Sequence, residues 1–272
     1  MLFEENTGVF LTLLAIALTG CLTSVEYLYS LRKGVLGPTS LFYWDVCRSR
    51  KGWPFRGLQA EISNWLFQPN IFAVLMILRI IGCIFLVTVN DRTILAIVIL
   101  GLTLSTGLLA LRHAHGHDGA DQMMMLLCVG MLTYFLFENT SSWRWAGILF
   151  IGGQSILAYF VSGAAKLISE EWRSGRALSS VLTTRIYGTP SVGKVLQKHP
   201  IVCMVLAWGL MIWETSSLFL ILSSSPYVWI WLAIGVSFHL SAALLMGLNS
   251  FLLAFLGSYP AVLMTAGLLQ FR

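Results

Sequence analysis

The stretch Tyr159-Phe-Val-Ser-Gly-Ala-Ala-Lys-Leu-Ile-Ser-Glu-Glu-Trp172 ends a long apolar run on a lysine, two acids and a tryptophan. A helix of this kind delivers an amine, Lys166, to the edge of the hydrocarbon, where desolvation favours the neutral form of an amine and makes it a base. The plainer reading is a lysine that snorkels to the interface beside Trp172, one residue of an aromatic belt. The chemical reading gains weight only if other polar residues join it.

Four further ionisable residues fall inside apolar runs: Glu26, Arg79, Glu214 and His239. A charge at midspan costs about 2.5 to 3.5 kcal/mol even on the lenient insertion scale, so each needs a partner or a purpose. Arg79 cannot accept a proton; it pairs with Glu26 or Glu214 as architecture, or it holds an anion. His239 is cheaper to bury when neutral and can both donate and accept. Ala242, Ala243 and Met246 share its helical face, with Asn249 one turn further on, so the alternatives are a packing histidine and one that meets a flat ligand. The turn Arg112-His-Ala-His-Gly-His-Asp-Gly-Ala-Asp121 sets histidines at alternate positions beside two aspartates. His113, His115 and His117 could chelate a divalent ion. A proton relay or anion-binding loop oriented by Asp118 and Asp121 suits the pattern equally, and no metal is assigned.

The elements that must carry these residues follow from composition. Of 272 residues 57% are hydrophobic and 11% charged, and the mean hydropathy is +0.79, which excludes an ordinary soluble globule. A span takes roughly 20 apolar residues, and runs of this kind lie at 8–30, 71–89, 93–111, 122–137, 146–167, 201–222, 227–248 and 251–269. The expectation is therefore an all-α, polytopic membrane bundle of about eight transmembrane helices, forming a single domain over 1–272. The first run lacks the basic start of a signal peptide and reads as a retained helix. Polar sequence is confined to short connections. Residues 31–70, with Trp44, Trp53 and Trp65, read as an interfacial hairpin with its aromatics among headgroups. Residues 168–200, with Leu178, Val181, Leu182, Ile186 and Tyr187 at helical spacing, read as a surface amphipathic helix.

The five cysteines are scattered, four of them within apolar runs, which fits buried thiols rather than a CxxC pair or a metal cluster. The net charge of +5 arises from basic loops flanking a membrane, not from a nucleic-acid face. Arg32, Lys33, Arg48, Arg50, Lys51, Arg56, Arg112, Arg173, Arg176, Arg185, Lys194 and Lys198 fall on one side of the alternating loops, against Arg92, Arg144 and Arg272. The positive-inside rule puts that side in the cytoplasm. No internal repeat, GxGxxG, Walker A or HExxH pattern occurs, which argues against nucleotide-driven chemistry and against a repeat-built transporter.

The 159–172 stretch, the run from His239 through Met246-Gly-Leu-Asn-Ser-Phe to Ser258-Tyr-Pro260, and the polar turn before Gln122-Met-Met-Met-Leu-Leu resemble the HTTM family, which includes the membrane portion of vitamin K-dependent carboxylases. The resemblance implies an enzyme that uses reduced vitamin K or another quinol as cofactor. Lys166 would be its catalytic base, His239 would orient or relay the proton, and His117 or Asp121 would take the polar-turn role. His115, Trp172, Asn249, Arg79 and Glu214 would line the substrate site. The large domain that holds substrate in the animal enzyme has no counterpart, so glutamate carboxylation is not carried over. The implied partners are the lipid bilayer and a secreted peptide, in a bacterial cytoplasmic membrane. A non-catalytic maturation or immunity partner of such a peptide is the alternative. The resemblance also puts Lys166 and both long loops away from the cytoplasm, the reverse of the charge rule, and orientation stays open between the two.

Overall fold

The computed structural model describes residues 4–50, 57–112, 119–137, 141–223 and 225–270. Among the described residues the chain is all-α: α1 Glu5–Arg32, α2 Trp44–Arg50, α3 Leu58–Leu66, α4 Pro69–Thr88, α5 Arg92–Arg112, α6 Gly119–Leu136, α7 Arg144–Ile168, α8 Glu170–Arg173, α9 Arg176–Thr183, α10 Pro190–Gln197, α11 Pro200–Thr215, α12 Ser225–Met246 and α13 Asn249–Gln270, with a 3-10 turn over Ser216–Ile221 continuing α11. Among the described residues eight helices are long and apolar enough to cross a membrane, and they match the apolar runs of the sequence closely. Their outer faces carry large hydrophobics such as Ile97, Leu104, Ile201, Val205 and Leu244, each more than 60% exposed. A surface of that kind is stable in hydrocarbon and not in water.

Local chemistry sets the helix ends and satisfies the polar residues within. Proline starts α4, α10 and α11, where its missing N–H costs nothing. Thr19, Ser24, Thr103 and Ser155 return their hydroxyls to carbonyls one turn back, at 2.6 to 2.7 Å, which satisfies these four within their own helices. Gly247, at φ 71°, makes the tight turn that folds α13 back on α12, a conformation costly for any residue with a Cβ.

The helices cluster into two compact units, one of Phe10–Gly147 and one of Ile148–Arg272 with the first nine residues. In the first, a stripe on α4 (Phe72, Met76, Arg79, Cys83, Leu86) at alternating four- and three-residue spacing packs on α5, which in turn pairs with α6. Trp44, expected among headgroups, is instead 5% exposed, in a cluster with Leu36, Phe67, Phe72 and Leu109. Its indole N–H and Arg48 Nη1 both donate to Asn64 Oδ1 at 2.9 Å, which gives its one polar atom a partner indoors. Trp65 does face outward.

In the second unit α7, α11, α12 and α13 surround a core rich in aromatic rings. The amphipathic stretch after α7 is shorter than its sequence pattern. Backbone at Thr184 turns extended, α9 stops at Thr183, and Ile186 and Tyr187 lie exposed in the following turn instead of on the apolar face with Leu182.

Candidate functional site

Lys166, Ser162 and Tyr159 recur on α7 at four- and three-residue spacing, which sets them on one face across two turns. Beside them, Gly163 brings α7 against α11: a Cβ there would lie 2.8 Å from Glu214 Cβ and 2.7 Å from the Thr215 nitrogen. That approach lets the Glu214 carboxylate reach the α7 face. Lys166 Nζ donates to Glu214 Oε1 at 2.8 Å, to Oε2 at 2.7 Å and to Ser162 Oγ at 2.5 Å. Ser162 Oγ donates in turn to Glu214 Oε1 at 3.2 Å. The side chains of the pair are 16% and 4% exposed, with the amine 5.3 Å from the Trp172 ring centroid. The amine read from the sequence as a desolvated base at the end of a span thus has a carboxylate partner and a shared hydroxyl.

Two turns back from Lys166, Tyr159 Oη meets His239 Nε2 at 2.6 Å and Tyr259 Oη at 3.2 Å. His239 is fully buried and its Nδ1 has no hydrogen-bond partner. The imidazole stacks on Phe255 at 4.7 Å and Tyr159 packs edge-on to Trp213 and Trp231. Those two indoles stack at 4.8 Å, and each donates its N–H to the other's backbone carbonyl at 3.0 Å. This reciprocal clasp holds α11 and α12 together one residue from Glu214. Gly235 clears the path for Tyr259, because a Cβ there would strike the phenol oxygen. The result is two polar groups bordering one face of α7 in an aromatic surround: amine, hydroxyl and carboxylate in one, phenols and imidazole in the other. No hydrogen bond joins Lys166 to His239; Tyr159 is the residue the imidazole meets.

The remaining expected site residues are distributed as follows. Trp172 is half-buried against Lys166, and Asn249 is exposed at the first position of α13. Arg79 pairs with neither Glu26 nor Glu214. Its guanidinium donates to Ser105 Oγ at 2.7 Å, Thr106 Oγ1 at 2.9 Å, and, at 3.4 Å, to the Leu102 carbonyl and Ser24 Oγ. Neutral oxygens thus replace the carboxylate, and Glu214 is taken by Lys166. Asp121, in the first turn of α6, lines a cavity of about 260 Å³ with Thr106, Ala110, Gln122 and Met125. His113, His115, His117 and Asp118 lie outside the described residues.

Sequence reasoning assigned no role to Ser162, Tyr159 or Tyr259. The signal for the first two was present, since both sit at helical spacing from Lys166; for Tyr259 there was none, because its contact joins helices a hundred residues apart. Comparison of the chain with protein-family models, with curated proteins and with solved structures finds no match.

Proposed function

We propose that this chain is a membrane-embedded enzyme, similar to the vitamin K-dependent carboxylases, that removes a proton from a lipidic quinol at the Lys166–Glu214 pair and so drives modification or maturation of a peptide or lipid at the interface. The observation that carries this reading is the ion pair itself, with the Trp172 ring against the amine and a phenol–imidazole pair further along the same face of α7. The donor set suits a flat phenolic group: an amine and a carboxylate for its hydroxyl, aromatic faces for its ring, and a buried imidazole nitrogen still without a partner. When bound, a quinol supplies two electrons and two protons that dioxygen can accept.

The protein's part is proton handling. Transfer of one proton from Lys166 Nζ to Glu214 across 2.7 Å yields a neutral amine and a neutral acid, so a base forms without exporting charge into a low-dielectric site. Ser162, bonded to both partners, fixes the amine during that exchange. Tyr159 and His239 form a second hydrogen-bonded group bordering the same face of α7, with no hydrogen bond to the pair. Exclusion of water protects a base of this kind from quenching, and the bilayer supplies it.

Purified protein given reduced naphthoquinone should consume oxygen, and Lys166→Ala should lower the rate at least a hundredfold at unchanged folding. Equal turnover in the variant would remove the base assignment. One observation favours a second, non-catalytic reading: Ile186 and Tyr187, 81% and 59% exposed beside α9, offer a contact for a peptide. If replacing those two blocks maturation of a co-expressed secreted peptide while Lys166→Ala does not, the binding reading replaces the enzymatic one.

A further inference from the structure

The unit formed by Phe10–Gly147 buries two guanidinium groups, Arg79 at 4% and Arg112 at 5% exposure, and no carboxylate among the described residues lies within ion-pair distance of either. The two differ in how well they are satisfied. Arg79 has four oxygen acceptors. Arg112, the last residue of α5, has one long hydrogen bond, from Nη2 to the Phe42 carbonyl at 3.4 Å, while its Nη1 is buried with no acceptor at all. Its planar group lies instead against the faces of Phe72 at 4.8 Å and Phe67 at 5.6 Å. Cation–π contacts stabilise the charge but leave the in-plane N–H groups unfilled. A guanidinium with five donors, flanked on one side by two rings whose centroids lie 5.9 Å apart and bonded through one donor, keeps an unfilled N–H edge that suits an oxyanion.

We infer that Arg112 is the anchor of an oxyanion site of the phosphate class, at the depth where α5 ends and lipid headgroups begin. One phosphate oxygen would engage the orphaned Nη1 and a second would replace the weak Phe42 carbonyl contact on Nη2, a bidentate fit that the turn before α2 admits by giving up a bond already at the limit of useful length. The Tyr27 hydroxyl, in the electrostatic field of Arg112 and packed edge-on to Phe72, stands beside the same position. The cavity between α5 and α6 is not the seat of the anion, because Asp121 lines it and would repel one. Arg32 and Lys33, at the end of α1, carry exposed positive charge.

The oxyanion has two sources, a phospholipid headgroup and a free phosphate ion, and one experiment separates them. Full-length protein, delipidated in neutral detergent, is titrated with phosphatidylglycerol, with phosphatidylcholine and with inorganic phosphate, reading thermal shift and, by native mass spectrometry, bound mass. The expected result is saturable binding of one equivalent, weakened about tenfold in Arg112→Gln and less in Arg112→Lys, which keeps the charge but not the fork. Arg32→Gln with Lys33→Gln should leave affinity within twofold. A response to lipid alone assigns the headgroup, and a response to inorganic phosphate alone assigns the free ion. Equal binding in wild type, Arg112→Gln and Arg112→Lys would overturn the site, as would loss of binding in the Arg32/Lys33 variant with none at Arg112. Should Arg112→Gln fail to fold, Arg112→Lys alone decides, since unchanged one-to-one affinity there contradicts bidentate recognition.

Discussion

At the scale of single residues, the Lys166–Glu214 pair can be architecture, chemistry or both, and the two roles respond differently to substitution. Removing one partner leaves the other charge buried and unpaired, a loss of about 3 to 5 kcal/mol. Glu214→Gln should therefore lower stability by an amount of that order, read as a shift in the denaturant midpoint, whereas a change under about 1 kcal/mol would show that water already reaches the pair. Tyr159→Phe takes from His239 its 2.6 Å partner and leaves the imidazole with no hydrogen bond on either nitrogen, at a cost of about 1 to 3 kcal/mol. Tyr259→Phe loses only the longer 3.2 Å contact and should cost less. If the two tyrosine variants are equally stable, the phenol–imidazole bond is not the member of the cluster that matters. Lys166, His239 and Glu214 were visible in the sequence because an ionisable residue in an apolar run needs an explanation. Which of them paired was not visible, since Arg79 offered Glu214 a partner of the right charge and hydroxyls from two helices satisfied that arginine instead.

At the scale of elements, glycine placement decides whether the site assembles. A Cβ added at Gly163 would lie 2.7 Å from the Thr215 backbone nitrogen of α11, so Gly163→Val must part α7 from α11 by more than a side chain's slack and break the ion pair. The expected outcome is a destabilisation of about 1 to 3 kcal/mol, with loss of oxygen uptake beyond what stability explains; a fully active Gly163→Val protein would mean that the close approach is not required. The short surface helices are tied differently. Arg176 donates to Glu171 Oε1 and Oε2 at 2.9 and 3.0 Å and to Glu170 at 3.3 Å, stapling α8 to α9. Arg176 holds the Glu171 carboxyl below its ordinary value of 4.5. A depressed carboxyl stabilises the fold above its unfolded pKa and loses that contribution as pH falls through its folded one. Amide protection of α8–α9 should thus be flat from pH 7 to 5 and decline below about pH 4. A decline already at pH 6 would assign the switch to another group. Helix boundaries were legible because apolar runs end where hydrocarbon ends. The end of α9 was not: Leu182, Ile186 and Tyr187 keep helical spacing, and only the extended backbone at Thr184 removes the last two from the face.

At the scale of the whole molecule, eight spans fix a parity without fixing a direction. Were all eight to cross, alternation would put the connections 33–43 and 184–199 on the same side of the membrane, since an even number of crossings would separate them. Single cysteines at Lys33 and Lys194, in a background lacking the native five, should react together with an impermeant maleimide from one side; labelling from opposite sides would mean that one apolar helix does not cross. Which side reacts decides between the charge rule, which puts the basic connections in the cytoplasm, and the family resemblance, which puts them outside. The fold class was readable from composition alone because only helices and closed barrels satisfy their backbone in lipid. The division into two compact units left no trace in the hydropathy pattern, as every span looks alike to a sliding window.

The most direct test replaces the pair as a unit. Lys166→Met with Glu214→Leu removes both charges, fills the same space and should fold as well as the parent or better, because no unpaired ion remains. Measured side by side for thermal stability and for oxygen uptake with reduced naphthoquinone, the double variant is expected to keep the first and to lose the second by a hundredfold or more. Turnover within a factor of two of the parent, in a protein that folds normally without either charge, would contradict a proton-transferring role for this ion pair.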